Sequence, residues 1–138
     1  MDRGKLQQLA GLRLKDAEVL LAAGQWDAAY YLLGYCVECA LKACIAQQFL
    51  LHTVPDKNVV NKFYSHRVGE LLVISNLKGQ FDADAHRDPD LKRRWGNVLD
   101  WSETSRYDIK QTELSARELQ DAVTNPVSGI LPWLMKYW

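Results

Sequence analysis

The chain has 138 residues in which 17 Lys+Arg balance 17 Asp+Glu, so its formal net charge is zero and the whole molecule offers no field to attract a polyanion. This argues against a generic nucleic-acid coat. At 48% hydrophobic and 25% charged residues the composition is that of an ordinary globular domain, and the length suits one core, so a single domain over residues 1–138 is expected.

Apolar positions Leu6, Leu9, Ala10, Leu14, Ala17, Leu20 and Leu21 recur at helical spacing and predict a first helix to about Ala23. Gly24 is placed to end it and Asp27 to cap a second helix, expected from about Trp26 to about Leu51 as an antiparallel neighbour. The stretch from His52 to Tyr64 has no sustained period and reads as a loop. Ser65 is expected to cap a third helix carrying Val68, Leu71, Leu72 and either Ile74 or Ser75, up to a break at Lys78-Gly79. Polar residues from Gly79 to Asp88 read as a connection, and Asp88-Pro89 as the start of a fourth helix. Its inward stripe is expected to hold Leu91, Trp95, Val98, Leu99 and Ser102, with Lys92, Arg93 and Arg94 mostly outside. After a short polar segment, Thr112 opens a fifth helix through Leu114, Leu119, Ala122 and Val123. Asn125-Pro126 breaks the pattern before a short last helix that Pro132 kinks or ends. No alternating strand pattern occurs, so the predicted fold class is all-α: an up-and-down bundle of four to five helices with a short C-terminal helix.

Residues 28–46 form a nineteen-residue run in which only Glu38 and Lys42 are charged. Two ionisable groups in a lone membrane span would cost about 2.5–3.5 kcal/mol each, so the run reads as the central helix of a soluble bundle, with no membrane partner. Cys36, Cys39 and Cys44 are an odd set too close together to staple a fold, and the N-terminus has no apolar stretch of the secretory kind; both point to the cytoplasm. Cys36 and Cys39 have CxxC spacing, but no second pair exists for zinc, and packing is the expected role. No metal or cofactor is expected.

Chemistry concentrates on the second helix, where Tyr31, Tyr35, Glu38 and Lys42 are spaced by four, three and four and share a face. Either Glu38 and Lys42 form a simple i, i+4 pair, or the stripe lines a polar pocket in the bundle. Charges in so apolar a run need partners, and His66 and Arg106 are the candidates. Arg106 could fold toward Glu38 or cap the carbonyls ending the fourth helix. Arg87, Lys92, Arg93 and Arg94 form a basic cluster interleaved with Asp88 and Asp90, either a solvated face or a phosphate contact. Trp133, Tyr137 and Trp138 close the core or form a dimer surface.

The segment Gly24 to Ala43, GQWDAAYYLLGYCVECALKA, resembles the signature of the HEPN domain (higher eukaryotes and prokaryotes nucleotide-binding). Asp16-Ala17-Glu18 with Leu21, His66 with Glu70-Leu71-Leu72, and Trp101 with Ser105-Arg106-Tyr107 match further elements, so the resemblance covers nearly the whole chain. It implies a helical bundle that commonly forms a homodimer, often beside a minimal nucleotidyltransferase partner, in toxin-antitoxin or defence systems. Some members are metal-independent ribonucleases that use an arginine followed, after four to six intervening residues, by a histidine. No arginine here has a histidine at that spacing. What carries over is the polar set Glu38, Lys42, His66, Arg106 and Tyr107, with Tyr31 and Tyr35, as a nucleotide- or RNA-binding pocket or a structural network. Cleavage would need a non-contiguous site made by His66 and Arg106.

Overall fold

The computed structural model describes residues 2–49 and 53–138, and among these it is an all-helical bundle without strands. Helix α1 (Arg3–Ala22) begins at Asp2, whose carboxylate accepts from the Lys5 amide at 2.8 Å. It ends as expected at Gly24, whose φ of +74° suits a residue without Cβ. Gln25 N–H donates to Leu20 O at 2.9 Å and Gly24 N–H to Leu21 O at 3.1 Å, a Schellman closure that turns the chain back along α1.

Helix α2 (Trp26–Ala46) is the axis of the bundle, packing against α1 and against most of the elements that follow it. It stops short of the expected Leu51, and residues 50–52 lie outside those described. Asp27 does not cap α2; Gln25 precedes it, and the Asp27 Oδ1 instead accepts from the Gln111 amide at 2.8 Å. Among the described residues α2 is the one helix long and apolar enough to cross a bilayer, and 67% of its most apolar window is buried in the bundle. Its apolarity is therefore consumed by packing.

Two short helices occupy stretches that the sequence pattern assigns to loops. Helix α3 (Lys57–Phe63) is capped by Asp56, which accepts from Asn58 N at 2.8 Å and Val59 N at 3.4 Å, yet it fully buries no residue and rests on the core through Val59 and Phe63 alone. Helix α4 (Val68–Ile74) ends at Ser75, four residues before the expected Gly79. Helix α5 (Lys78–Arg87) follows at once and sinks only Phe81 and Ala85, one i, i+4 pair. Asn76, at φ 62°, makes the tight link between α4 and α5, a backbone region that asparagine tolerates. Gln48 clamps this corner: its Nε2 donates to Ile74 O at 2.7 Å while its Oε1 accepts from Asn76 at 3.1 Å.

Helix α6 (Pro89–Leu99) starts at Asp88 as expected, with the carboxylate accepting from Asp90 N at 3.1 Å and Leu91 N at 3.2 Å. Arg94 lies inside rather than outside. Positions 91, 94, 95 and 98 are one helical face, and that spacing overrides the charge: Arg94 is 8% exposed, its Nε 3.0 Å from Asp121 Oδ2. Leu99 and Ser102, expected on the inward stripe, are exposed. A 3-10 turn (Glu103–Tyr107) follows, and then α7 (Glu113–Thr124), opened by a capping box between Thr112 and Ser115. Leu114 points out, 69% exposed, because the inner face of α7 begins at Ala116. Helix α8 (Ile130–Met135) accommodates Pro132 in its first turn, where no amide donor is needed. Trp133 is buried against Phe81 and Tyr137, with ring centroids at 5.1 and 4.8 Å, and closes the core; its Nε1 donates to Asp84 at 2.8 Å.

All three cysteines are buried and free. Burial pushes the Cys36 and Cys44 thiols up to about 12 and Cys39 up to about 11, so they are protonated packing groups. A disulfide-exchange reagent at pH 8 should modify none of them in the native protein and all three after denaturation. Rapid labelling of Cys36 or Cys39 in the folded state would overturn their assignment as packing groups.

Candidate functional site

The site is built on α2 around Glu38, which is 2% exposed. A carboxylate so placed needs donors, and the structure supplies two. Lys42, one turn on, brings Nζ to 3.3 Å with its side chain only 12% exposed, and lies over the Phe63 ring of α3 at 5.5 Å. His66, just before α4, brings Nδ1 to 3.1 and 3.2 Å from the two oxygens. The predicted convergence of Glu38, Lys42 and His66 is therefore present.

The other face of His66 was not legible in the sequence. Its Nε2 stands 3.3 Å from Glu103 Oε2, so the imidazole bridges a buried carboxylate on α2 and a half-exposed one on the 3-10 turn. Glu103 carries no sequence signal, since an acid beside Ser102 reads only as a helix-start residue. Nearby, Ser65 Oγ donates to Glu70 Oε2 at 2.9 Å and accepts from Arg67 N–H at 3.1 Å, bracing the turn that holds the ring. Arg67, rather than Ser65, occupies the cap position of α4.

Between this turn and the end of α6 lies a cavity of about 600 Å³, with His66, Arg67 and Glu70 on one wall and Trp101, Ser102, Glu103 and Thr104 on the other. Its volume falls in the range of small-molecule sites. Glu70 is engaged by Ser65 and Glu103 by His66, whereas the guanidinium of Arg67 has no ion-pair or hydrogen-bond partner among the described residues. Leu99 adds an apolar edge. Ser102 Oγ and Thr104 Oγ1 hydrogen-bond each other at 3.0 Å, so the arrangement offers one uncommitted cation and one remaining O–H to an acceptor-rich ligand.

Arg106 does not reach Glu38, and it does not cap α6. It is exposed and stacks over the Tyr107 ring at 4.9 Å. With Asp27, Ala28, Tyr31 and Leu32 it lines a separate cavity of about 350 Å³. Tyr31 stacks on Tyr35 at 6.0 Å and on Trp101 at 6.1 Å, an aromatic ridge between the Arg106 and His66 cavities. Burial raises the Tyr35 phenol, with Cys39 and Glu38 adding to the shift. Tyr107 is 74% exposed. The structure thus joins Glu38, Lys42 and His66 in one constellation and places Arg106, Tyr107 and Tyr31 in another.

Trp101 is 4% exposed and sits face-on against Gly34 of α2; a Cβ on Gly34 would fall 2.1 Å from its Cε2. This contact explains the glycine, and sequence reasoning missed it because the two residues lie far apart in the chain. The indole Nε1 and the Ser105 Oγ are both buried without a hydrogen-bond partner among the described residues. Each such atom costs about 1–3 kcal/mol, and both belong to one short segment. The basic cluster on α6 is partly neutralised, with Arg93 on Asp90 at 3.4 Å and Arg94 on Asp121. Asn125, first, and Arg94 hold the Asp121 carboxyl below its ordinary range. Among the described residues no group of three or more His, Cys, Asp or Glu could hold a metal ion.

No family model, no curated protein and no solved structure matches this chain.

Proposed function

We propose that the chain is a HEPN-type binding module: a homodimeric helical bundle that takes a nucleotide or an RNA-like ligand and works with a minimal nucleotidyltransferase in a toxin-antitoxin or defence setting. The observation that carries the ligand part is the unpartnered Arg67 guanidinium on a cavity of about 600 Å³ whose other charged groups are already engaged. A phosphate is the anion this donor set suits: one free guanidinium and the one O–H that the Ser102–Thr104 hydrogen bond leaves unused, with Leu99 to take an apolar face. The pairing and setting rest on the sequence resemblance.

Binding is favoured over cleavage by two distances. A proton-transferring histidine needs a ring nitrogen free to meet substrate, whereas with Glu103 seated both nitrogens of His66 face carboxylates, at 3.1 and 3.3 Å. The arginine that a nuclease would use beside it, Arg106, lines another cavity.

Thermal unfolding with millimolar ATP, and separately with a short RNA, is the test. Ligand at a hundredfold excess over its Kd adds about 2.7 kcal/mol of stability, which raises the melting temperature by several degrees. Arg67→Ala should abolish that shift while leaving the free protein's melting temperature unchanged, and the RNA should be recovered intact. No shift with either ligand would overturn the reading, and cleavage lost in His66→Ala would replace it with a nuclease.

A further inference from the structure

The segment from Trp101 to Tyr107 is fastened to the bundle by few bonds. No backbone hydrogen bond runs from residues 102–110 to another helix among the described residues; those present are local, such as Ser105 N–H to Ser102 O at 2.9 Å and Asp108 N–H to Ser105 O at 3.0 Å. Its anchors are two side-chain contacts: Trp101 on Gly34 and Glu103 on His66. Two of its polar atoms, Trp101 Nε1 and Ser105 Oγ, are buried without partners and oppose the seated state. The segment is a strap, and it forms one wall of the larger cavity.

We propose that His66 is a proton-operated clasp that holds this strap against α2, closing the cavity when the ring is charged and freeing the strap when it is neutral. The imidazole has acceptors on both sides, Glu38 at Nδ1 and Glu103 at Nε2. Only the charged ring donates from both nitrogens; a neutral ring donates from one and turns a lone pair on the other carboxylate. The contact that yields is decided by burial. Glu38 is fixed inside the bundle with Lys42 at 3.3 Å, whereas the Glu103 side chain is 42% exposed and can swing into water. The remaining charges around the ring do not reverse this order, because Glu70 is held by Ser65 and by Lys62 at 3.8 Å, and the Arg67 guanidinium has no ion-pair partner among the described residues. Histidine changes charge between about pH 5 and 8, the window in which no other ordinary side chain does. The proposal concerns the free protein and does not depend on what the cavity binds.

Hydrogen exchange of the full chain, expressed as protection factors corrected for intrinsic rates, tests it. Between about pH 5.5 and 8, protection in peptides covering residues 101–110 should fall about tenfold, the loss of one charge-assisted hydrogen bond, while α7 stays constant. Glu103→Gln should erase the pH response, since its amide donates to a neutral ring and its carbonyl accepts from a charged one. His66→Gln should erase it too, and Glu70→Gln should leave it intact. Glu103→Gln is a surface change that keeps the measurement valid if the His66 variant fails to fold. A strap whose protection does not change with pH, or one that responds equally in Glu103→Gln, overturns the clasp.

Discussion

Glu38→Ala is expected to destabilise the protein by about 3–5 kcal/mol, a large share of the 5–15 kcal/mol that holds a domain of this size. The loss comes less from the bonds removed than from what they leave behind: the Lys42 ammonium, 12% exposed and now without its carboxylate at 3.3 Å. A second substitution separates the two contributions. Removing both charges in Glu38→Ala/Lys42→Met should recover much of the loss, because a buried pair replaced by apolar groups is near neutral while half a pair is not. Urea denaturation of the four variants gives the coupling energy directly, and additive losses would mean that the two groups do not act as a pair.

Gly34→Ala should cost about 2–3 kcal/mol, against the direction that helix propensity alone predicts. Alanine in a helix interior is favoured over glycine by about 1 kcal/mol, so an unobstructed Gly34 would be improved by the change. The new methyl group would instead lie 2.1 Å from the Trp101 indole, a rigid ring with no free end to bend away. The sign should therefore invert once the ring is gone: in a Trp101→Ala background, adding Gly34→Ala should stabilise by about 1 kcal/mol. Chemical denaturation of the pair measures this, and destabilisation in both backgrounds would show that the glycine serves something other than the tryptophan.

The helical class and the longer helices could be read from apolar spacing and caps, as at Asp88-Pro89 and Thr112. Helices α3 and α5 could not, because periodicity reports burial, and they contribute no buried residue and two buried residues respectively. Asp56 was a local start signal for α3, but the apolar phase after it is a single half-buried i, i+4 pair, Val59 and Phe63, too short to read as a helix. Arg94 shows the opposite error, a charge allowed to outvote its position on the face shared by Leu91, Trp95 and Val98. In the site, Glu38 and Lys42 were legible because charge in an apolar run demands partners, and His66 followed from that demand. Glu103 and the seat of Trp101 on Gly34 depend on how α6 ends against α2, which no spacing along one helix encodes.

The buried thiols of α2 have a consequence for watching the molecule move. With Cys36, Cys39 and Cys44 protonated and enclosed, a cysteine placed at exposed Thr104 would be the sole reactive handle on the folded chain. A spin label or fluorophore could be attached there without first deleting the native sulfurs, a deletion that would carve voids into the helix against which every displacement must be gauged.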